Sequence, residues 1–164
     1  FKALSPMVAA MADDAIMGKN ITLAVYDGAA YRPVACLTSN GISITQEMLE
    51  LPITKCSPDK KSKKGDLSYE IPFEGQFIDT TTVGGDTAKA SYDFLVTHMK
   101  SMKDTDSKTR WKQTTTIGAT SDVIYGEGHI INLELTAPAE GEATFSATLQ
   151  GEGWFSSTEP EDEV

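Results

Sequence analysis

The side chains of this 164-residue chain best suited to proton transfer near neutral pH are its two histidines, His98 and His129. Nucleophilic catalysis requires such a base within hydrogen-bond reach of a hydroxyl or thiol group. Neither histidine lies in a motif that supplies one, and the GxSxG turn of serine hydrolases is absent from the sequence. We therefore interpret both histidines as structural or surface residues and predict that the chain is not an enzyme.

Two short segments have part of the pattern of an ion-binding loop. The segment from Gly84 to Thr87 precedes a predicted helix, whose N-terminus can bind an anion. The phosphate loop that ends in Gly-Lys-Ser or Gly-Lys-Thr is absent, however, and Asp86 would repel phosphate. Asp104 to Asp106 is similar to the start of a calcium loop, but the glycine and distal glutamate of an EF-hand are missing. The sequence predicts no bound metal ion and no cofactor.

The two cysteines, Cys36 and Cys56, form no CxxC pair and no cluster with histidine, which argues against a zinc site. Two thiols in a chain of this length are too few for a disulfide framework. We interpret both as reduced, with Cys36 on the buried face of a strand. A single disulfide is the alternative.

Three large aromatic residues, Trp111, Trp154 and Tyr125, have side chains that can stack on the rings of a ligand. Aromatic side chains fill protein cores more often than they bind ligands. We favour core packing and keep ligand stacking as the alternative.

Charge is unevenly distributed along the chain. The net charge is −10, and an acidic protein is a poor ligand for nucleic acid because binding depends on cations that neutralise phosphates. The segment Lys55–Gly65 is the exception, with five lysines against one aspartate, and it is predicted to be an exposed basic loop. Either this loop is merely solvated, or it docks on an acidic neighbour through opposite electrostatic potentials. Its lysines are the predicted inter-subunit contacts: Lys55, Lys60, Lys61, Lys63 and Lys64.

Alternating apolar and polar residues predict most of the chain to be β-strand. The segments 19–25 and 31–38, joined by the Asp27-Gly28 turn, predict a hairpin. Further strands are predicted over 42–45, 68–78, 110–117, 121–125, 129–136 and 143–150, with residues 46–51 as a connector. No apolar run reaches the 18 or so residues of a membrane span.

One helix is predicted from Asp86 to Met102, with Asp86 or Thr87 as its N-cap. Apolar residues recur there at spacings of three and four, which places them on one stripe: Ala88, Tyr92, Leu95, Met99 and Met102. About eight strands with one helix favour a mainly β fold, an antiparallel β-sandwich or partial barrel with a flanking α-helix. The predicted domain covers residues 18–155, between an N-terminal arm (1–17) and an acidic C-terminal tail (156–164).

Three stretches of the sequence resemble the major tail tube proteins of long-tailed, siphovirus-like bacteriophages. They are the opening GKNITLAVYDGAAYRPVACLTSNGISITQEMLELPITKC, the helix after a glycine-rich turn, and the closing strand EATFSATLQGEGWF. The resemblance covers residues 18–155 in the order of elements. The N-terminal arm, the lysine-rich loop and the segment around Trp111 depart from the pattern of that family.

The resemblance implies a structural subunit that self-assembles into hexameric rings, which stack into a hollow tail tube for delivery of the phage genome. It implies a location in the virion tail after synthesis in the host bacterial cytoplasm. Its partners would be further copies of itself and other tail proteins (tape measure, tail terminator and distal tail), with DNA only in transit and no membrane. The tube of a contractile tail or of a type VI secretion system is a structural variant, and a secreted or surface β-sandwich module that binds glycans or host surfaces is the alternative function.

Overall fold

The computed structural model describes residues 15–56, 59, 61–80 and 85–160. The described chain begins with a short 3-10 helix (Gly18–Asn20) and has one α-helix, α1 (Tyr92–Thr105). Its strands are β1 (Ile21–Tyr26), β2 (Tyr31–Pro33), β3 (Leu37–Asn40), β4 (Ser43–Leu51), β5 (Lys61–Gln76), β6 (Thr109–Ile117), β7 (Thr120–Thr136) and β8 (Thr144–Ser156).

All eight strands belong to one antiparallel sheet with the order β2-β1-β6-β7-β8-β5-β3, and β4 pairs with β5 beyond this path. The first hairpin forms as predicted, since Tyr26 lies opposite Tyr31 across the turn. Strand β1 reaches its second neighbour far along the chain, with Val25 opposite Trp111. The sheet curls into a half-barrel that α1 flanks, so the predicted mainly β fold with one helix is confirmed, in its partial-barrel form.

The core lies on one face of this sheet, because strand alternation sends every second side chain to the same side. On β5, Tyr69, Ile71 and Phe73 are buried, and Ile71 and Phe73 lie opposite Leu149 and Ala147 of β8. Burying a large apolar side chain contributes about 1.5–3 kcal/mol, so these cross-strand pairs are a main source of stability. Trp111 is fully buried in the same cluster.

Two glycines let aromatic rings lie directly against the backbone of neighbouring strands. A Cβ atom on Gly151 would lie 2.0 Å from Cζ of Tyr69, and one on Gly126 would lie 2.6 Å from Cζ2 of Trp111. The Nε1 of Trp111 donates a hydrogen bond to the hydroxyl of Tyr69 (3.3 Å), which in turn donates to the carbonyl of Glu127 (3.0 Å). Both buried polar groups are thereby satisfied, as burial requires.

The helix begins six residues later than predicted, at Tyr92 rather than Asp86. The reason is tertiary: the amide of Ala90 donates to the carbonyl of Pro33, and Ala35 donates back to Ala90, which fixes this segment as a short parallel bridge. Asp86 accepts a hydrogen bond from the amide of Ala88 in a turn, so it is not the predicted N-cap. The predicted stripe holds from Tyr92 onward, with Leu95 fully buried, and the helix ends at Thr105.

Other local predictions were also wrong. The strands predicted over 121–125 and 129–136 are one continuous strand, β7. Residues 46–51 continue β4, and residues 61–65 belong to β5, because the two segments pair with each other as a hairpin. Cys36 is exposed rather than buried. It lies in a turn, with a φ of 50°, that divides the strand predicted over 31–38 into β2 and β3. Cys36 and Cys56 are both exposed and are not joined by a disulfide in this structure. Residues 1–14 of the predicted arm and 161–164 of the predicted tail lie outside the described residues.

Candidate assembly surfaces

A long hairpin extends beyond the core. We name β4 together with residues 61–67 of β5 the arm; every residue of β4 is exposed, and no residue of the arm is buried. Its pairing is nevertheless regular, with Leu49 opposite Lys63 and Leu51 opposite Lys61. The arm has several exposed large apolar side chains, which are Ile44, Met48, Leu49, Leu51 and Leu67. Such a concentration of exposed apolar residues is typical of a surface that another molecule covers.

The predicted contact lysines lie on or beside the arm. Lys61, Lys63 and Lys64 are exposed on β5, and Lys55 is exposed in the connection that precedes it. No ion pair joins these four lysines to another residue in the described part of the chain. Lys60 lies outside the described residues. The structure therefore brings four of the five predicted residues to one end of the molecule.

The sheet has a polar face opposite its core. Glu70 and Glu74 of β5 alternate with the buried Tyr69, Ile71 and Phe73, so they point away from the core. Neighbouring positions form rows across three strands: Glu74, Ser146 and Glu134 are aligned in one row. We name this surface the acidic face; its members are Glu70, Glu74, Glu134, Ser146, Thr148 and Gln150. Five of these six side chains are hydroxyl or carboxylate groups.

Two strand segments of the sheet have a partner strand on one side only within the described chain. Strand β4 pairs with β5 alone among the described strands. At the other margin, β6 begins at Thr109 opposite Gly128, so the part of β7 from His129 to Thr136 pairs only with β8 within the described chain. Strand margins with this arrangement are templates for pairing with another chain.

Around His129 lies a small ionic cluster. Its Nε2 is 3.0 Å from a carboxylate oxygen of Glu152, whose other oxygen is 3.0 Å from Nζ of Lys108. The Lys108 ammonium, followed by the His129 imidazole, lowers the pKa of Glu152 below its ordinary value. The cluster is about half exposed. Its geometry is that of a surface ion pair, as predicted for a surface histidine.

His98 is buried instead, on the inner side of α1. Its ring stacks on Phe94, and its Nε2 lies 3.1 Å from the hydroxyl of Thr109, which is also buried. Burial lowers the pKa of His98, with a smaller opposing effect from Asp27. This histidine joins the helix to β6, in agreement with the structural role expected from the sequence.

The remaining candidates give no site. Trp111 is fully buried and cannot stack on a ligand, whereas Trp154 is 48% exposed and packs on Phe155 at 4.4 Å between ring centroids. Over the residues that the structure describes, no group of three or more potential metal ligands comes together. No helix in the described ranges is long and apolar enough to cross a bilayer.

Sequence reasoning missed the arm. Residues 46–51, QEMLEL, contain good helix formers and few β-branched residues, so their composition gives little indication of a strand. The following residues 61–66, KSKKGD, contain no apolar side chain, so alternation gave no signal for the partner strand either.

Comparison with known proteins gives similarity in structure only. No family profile matches the chain, and no curated protein matches it in sequence. A chain of a native gene transfer agent virion superposes with a TM-score of 0.61 at 16% identity, over 87% of this chain and 98% of that one. A chain from the tail of the empty gene transfer agent particle, refined with C6 symmetry, gives 0.61 at 17% identity over the same shares.

The SPP1 tail tube superposes with a TM-score of 0.59 at 14% identity, over 85% of this chain and 77% of that one. The predicted tail tube fold is therefore confirmed as a fold. At these identities the similarity extends to the architecture alone.

Proposed function

We propose that this chain is a non-enzymatic structural subunit of a phage-type tail tube. Copies join side by side into closed rings, six to a ring, and the rings stack into a hollow tube that conducts genome DNA. The observation that carries the proposal is a curled sheet in which β4 and the 129–136 part of β7 each have one side unpaired within the described chain, in the fold of chains from two tail structures, one of them refined with C6 symmetry.

Ring closure follows from the strand margins. An exposed edge associates with other chains unless it is covered or closed into a barrel. If the free side of β4 in one copy pairs with the free part of β7 in the next, each copy satisfies both margins by repetition of one contact. A contact between two different surfaces generates a ring when its rotation closes.

The acidic face suits a channel for DNA. Glu70, Glu74 and Glu134 present carboxylates among hydroxyl groups, and none of them forms an ion pair with another described residue. Phosphates gain affinity from lysine and arginine through counterion release, and a carboxylate-lined wall offers none of this gain. A lumen lined by the acidic face would therefore let DNA pass without adhering, which agrees with DNA as cargo in transit.

The lysines on and beside the arm are proposed as inter-subunit contacts: Lys55, Lys60, Lys61, Lys63 and Lys64. The four of these lysines that the structure describes, Lys55, Lys61, Lys63 and Lys64, are exposed and form no ion pair with another described residue, which supports this role. The N-terminal arm (1–17) and the acidic tail (156–164) are proposed to contact neighbouring rings as well. Tape measure, tail terminator and distal tail proteins are the proposed partners in the virion tail, after synthesis in the host bacterial cytoplasm.

Two other readings are less well supported. A glycan-binding module would use exposed aromatic residues, but Trp111 lies in the core and leaves Trp154 as the more exposed tryptophan. A contractile-tail or type VI secretion tube has the same subunit arrangement and remains a variant of the proposal.

Negative-stain electron microscopy and sedimentation of the purified chain test the proposal. We expect rings or tubes of uniform diameter with six-fold symmetry, in protein whose circular dichroism is that of a folded β-rich chain. A folded monomer at every salt and protein concentration, with no growth on preformed tail seeds, would contradict it. Clear hits on a glycan array from that monomer would favour the binding module.

A further inference from the structure

The arm and the turn between β7 and β8 lie at opposite ends of the same strand ladder. The ladder between β5 and β8 runs from the pair Glu70 and Gln150 to the pair Gln76 and Thr144. The arm continues beyond the first pair, and residues 137–143, which we name the β7–β8 turn, continue beyond the second. Each copy therefore has two different ends along the strand direction.

The two ends carry opposite charge. The tip of the arm, residues 49–51 and 61–63, which we name the outer arm, has two exposed lysines, Lys61 and Lys63, against one exposed carboxylate, Glu50, whereas the β7–β8 turn has the exposed carboxylates Glu140 and Glu142 and no cation. No lysine or arginine follows Lys112 in the sequence, so this end has no nearby cation from its own strands. Neither glutamate forms an ion pair with another described residue.

Each end also exposes apolar side chains beside its charges. Leu49 and Leu51, which lie opposite the two lysines, are 47% and 44% exposed. Beside the β7–β8 turn, Leu135 is 43% exposed and Phe77 is 37% exposed; the amide of Phe77 donates to the carbonyl of Ala143 within the turn. An apolar centre with charges around it is the composition of a specific protein interface.

We propose that the outer arm of one copy docks on the β7–β8 turn of a second copy, with Lys61 and Lys63 against Glu140 and Glu142. Leu49 and Leu51 then cover the apolar surface of Leu135 and Phe77. This inference rests on the proposed tube and assigns the receiving surface for its basic arm. Because the two surfaces differ and lie at opposite ends, the contact is head-to-tail and repeats from ring to ring.

Charge exchange tests this contact in the full chain. K61E/K63E and E140K/E142K each place like charges against one another, and each is expected to reduce stacked tubes at least tenfold while single rings persist. The combined variant K61E/K63E/E140K/E142K restores the opposite charges and is expected to form tubes again. Electron microscopy counts tubes and rings, and circular dichroism confirms that each variant is folded.

The matched control is K100E/K103E, two lysine reversals on the exposed side of the helix, which is expected to leave stacking unchanged. Tubes in either two-residue variant at wild-type abundance, or a combined variant that stays as single rings, would overturn this pairing and leave the tube proposal intact. Failure of the wild-type chain to form rings would instead contradict the proposed function.

Discussion

Strand β5 passes through two different surroundings. From Tyr69 to Gly75 every second residue is buried, whereas from Lys61 to Ser68 none is buried. Both parts have an antiparallel partner, so hydrogen bonding of the backbone does not explain the difference. The inner part has the helix and the curled sheet on one side, whereas no residue of the outer part is buried by the described elements of the chain. Pairing alone forms a strand, and a second layer is needed to form a core.

The largest expected loss of stability comes from removing a buried side chain from the inner part of β5. Phe73→Ala removes a fully buried ring that packs on Phe145, and we expect a loss of about 3–5 kcal/mol in the free energy of unfolding. Leu51→Ala on the arm is the contrast, with an expected change within about 0.5 kcal/mol. Urea unfolding of protein that has not assembled into rings or tubes measures both changes in the free energy of unfolding. Equal losses at the two positions would mean that the arm belongs to the core of a single copy.

Adding a methyl group against the inner part of β5 is expected to lower the free energy of unfolding by less than removing a buried ring does. Gly151→Ala places a methyl group against three ring atoms of Tyr69, which must move, at a cost of about 1–3 kcal/mol. Gly41→Ala is the control, because no heavy atom lies within 4 Å of its added Cβ. Thermal unfolding compares the two variants, and a Gly151→Ala protein as stable as Gly41→Ala would show that the ring is not held against the strand.

The two histidines extend the comparison to pH. Burial lowers the pKa of His98 in the folded chain. Below pH 6.5, the ordinary pKa of histidine, the unfolded chain therefore binds a proton at this residue more readily than the folded chain does. Stability is therefore unaffected above this pH and falls as the pH drops from 6.5 toward the lowered pKa, by at most about 1.4 kcal/mol per pH unit.

We expect His98→Gln to remove this part of the pH dependence and the exposed His129→Gln to retain it. Unfolding free energies at pH 7.5 and 5.5 measure the difference. The same dependence in wild type and His98→Gln would show that the histidine is not buried in the neutral form.

Charged side chains on the arm are expected to affect assembly far more than the stability of one copy. Leu49→Asp with Leu51→Asp exposes no core, so the free energy of unfolding of one copy is expected to change by less than about 1 kcal/mol. Assembly is the sensitive readout, because two desolvated carboxylates beside an acidic partner oppose contact. Tubes that form normally from this variant would mean that the apolar side of the arm faces solvent in the tube.

Sequence patterns predicted the elements whose burial comes from their own alternation. The strand around Phe145 and the helical stripe around Leu95 were predicted because each contacts the core at a regular spacing. The helix start at Tyr92 was missed because it depends on hydrogen bonds between Ala90 and a strand edge more than fifty residues earlier. The arm was missed because its apolar residues face no core, so no pattern of burial marks it.

The pairing of β1 with β6 also affects when the first strand can find its partner during synthesis of the chain. Val25 lies opposite Trp111, so the first strand has its central neighbour only after roughly 90 further residues have been synthesised. At bacterial translation rates of about 5–20 residues per second, the opening hairpin waits on the order of 5 to 20 seconds on the ribosome with an unpaired edge. Slower elongation lengthens this wait, and the soluble yield of the chain is expected to fall with it.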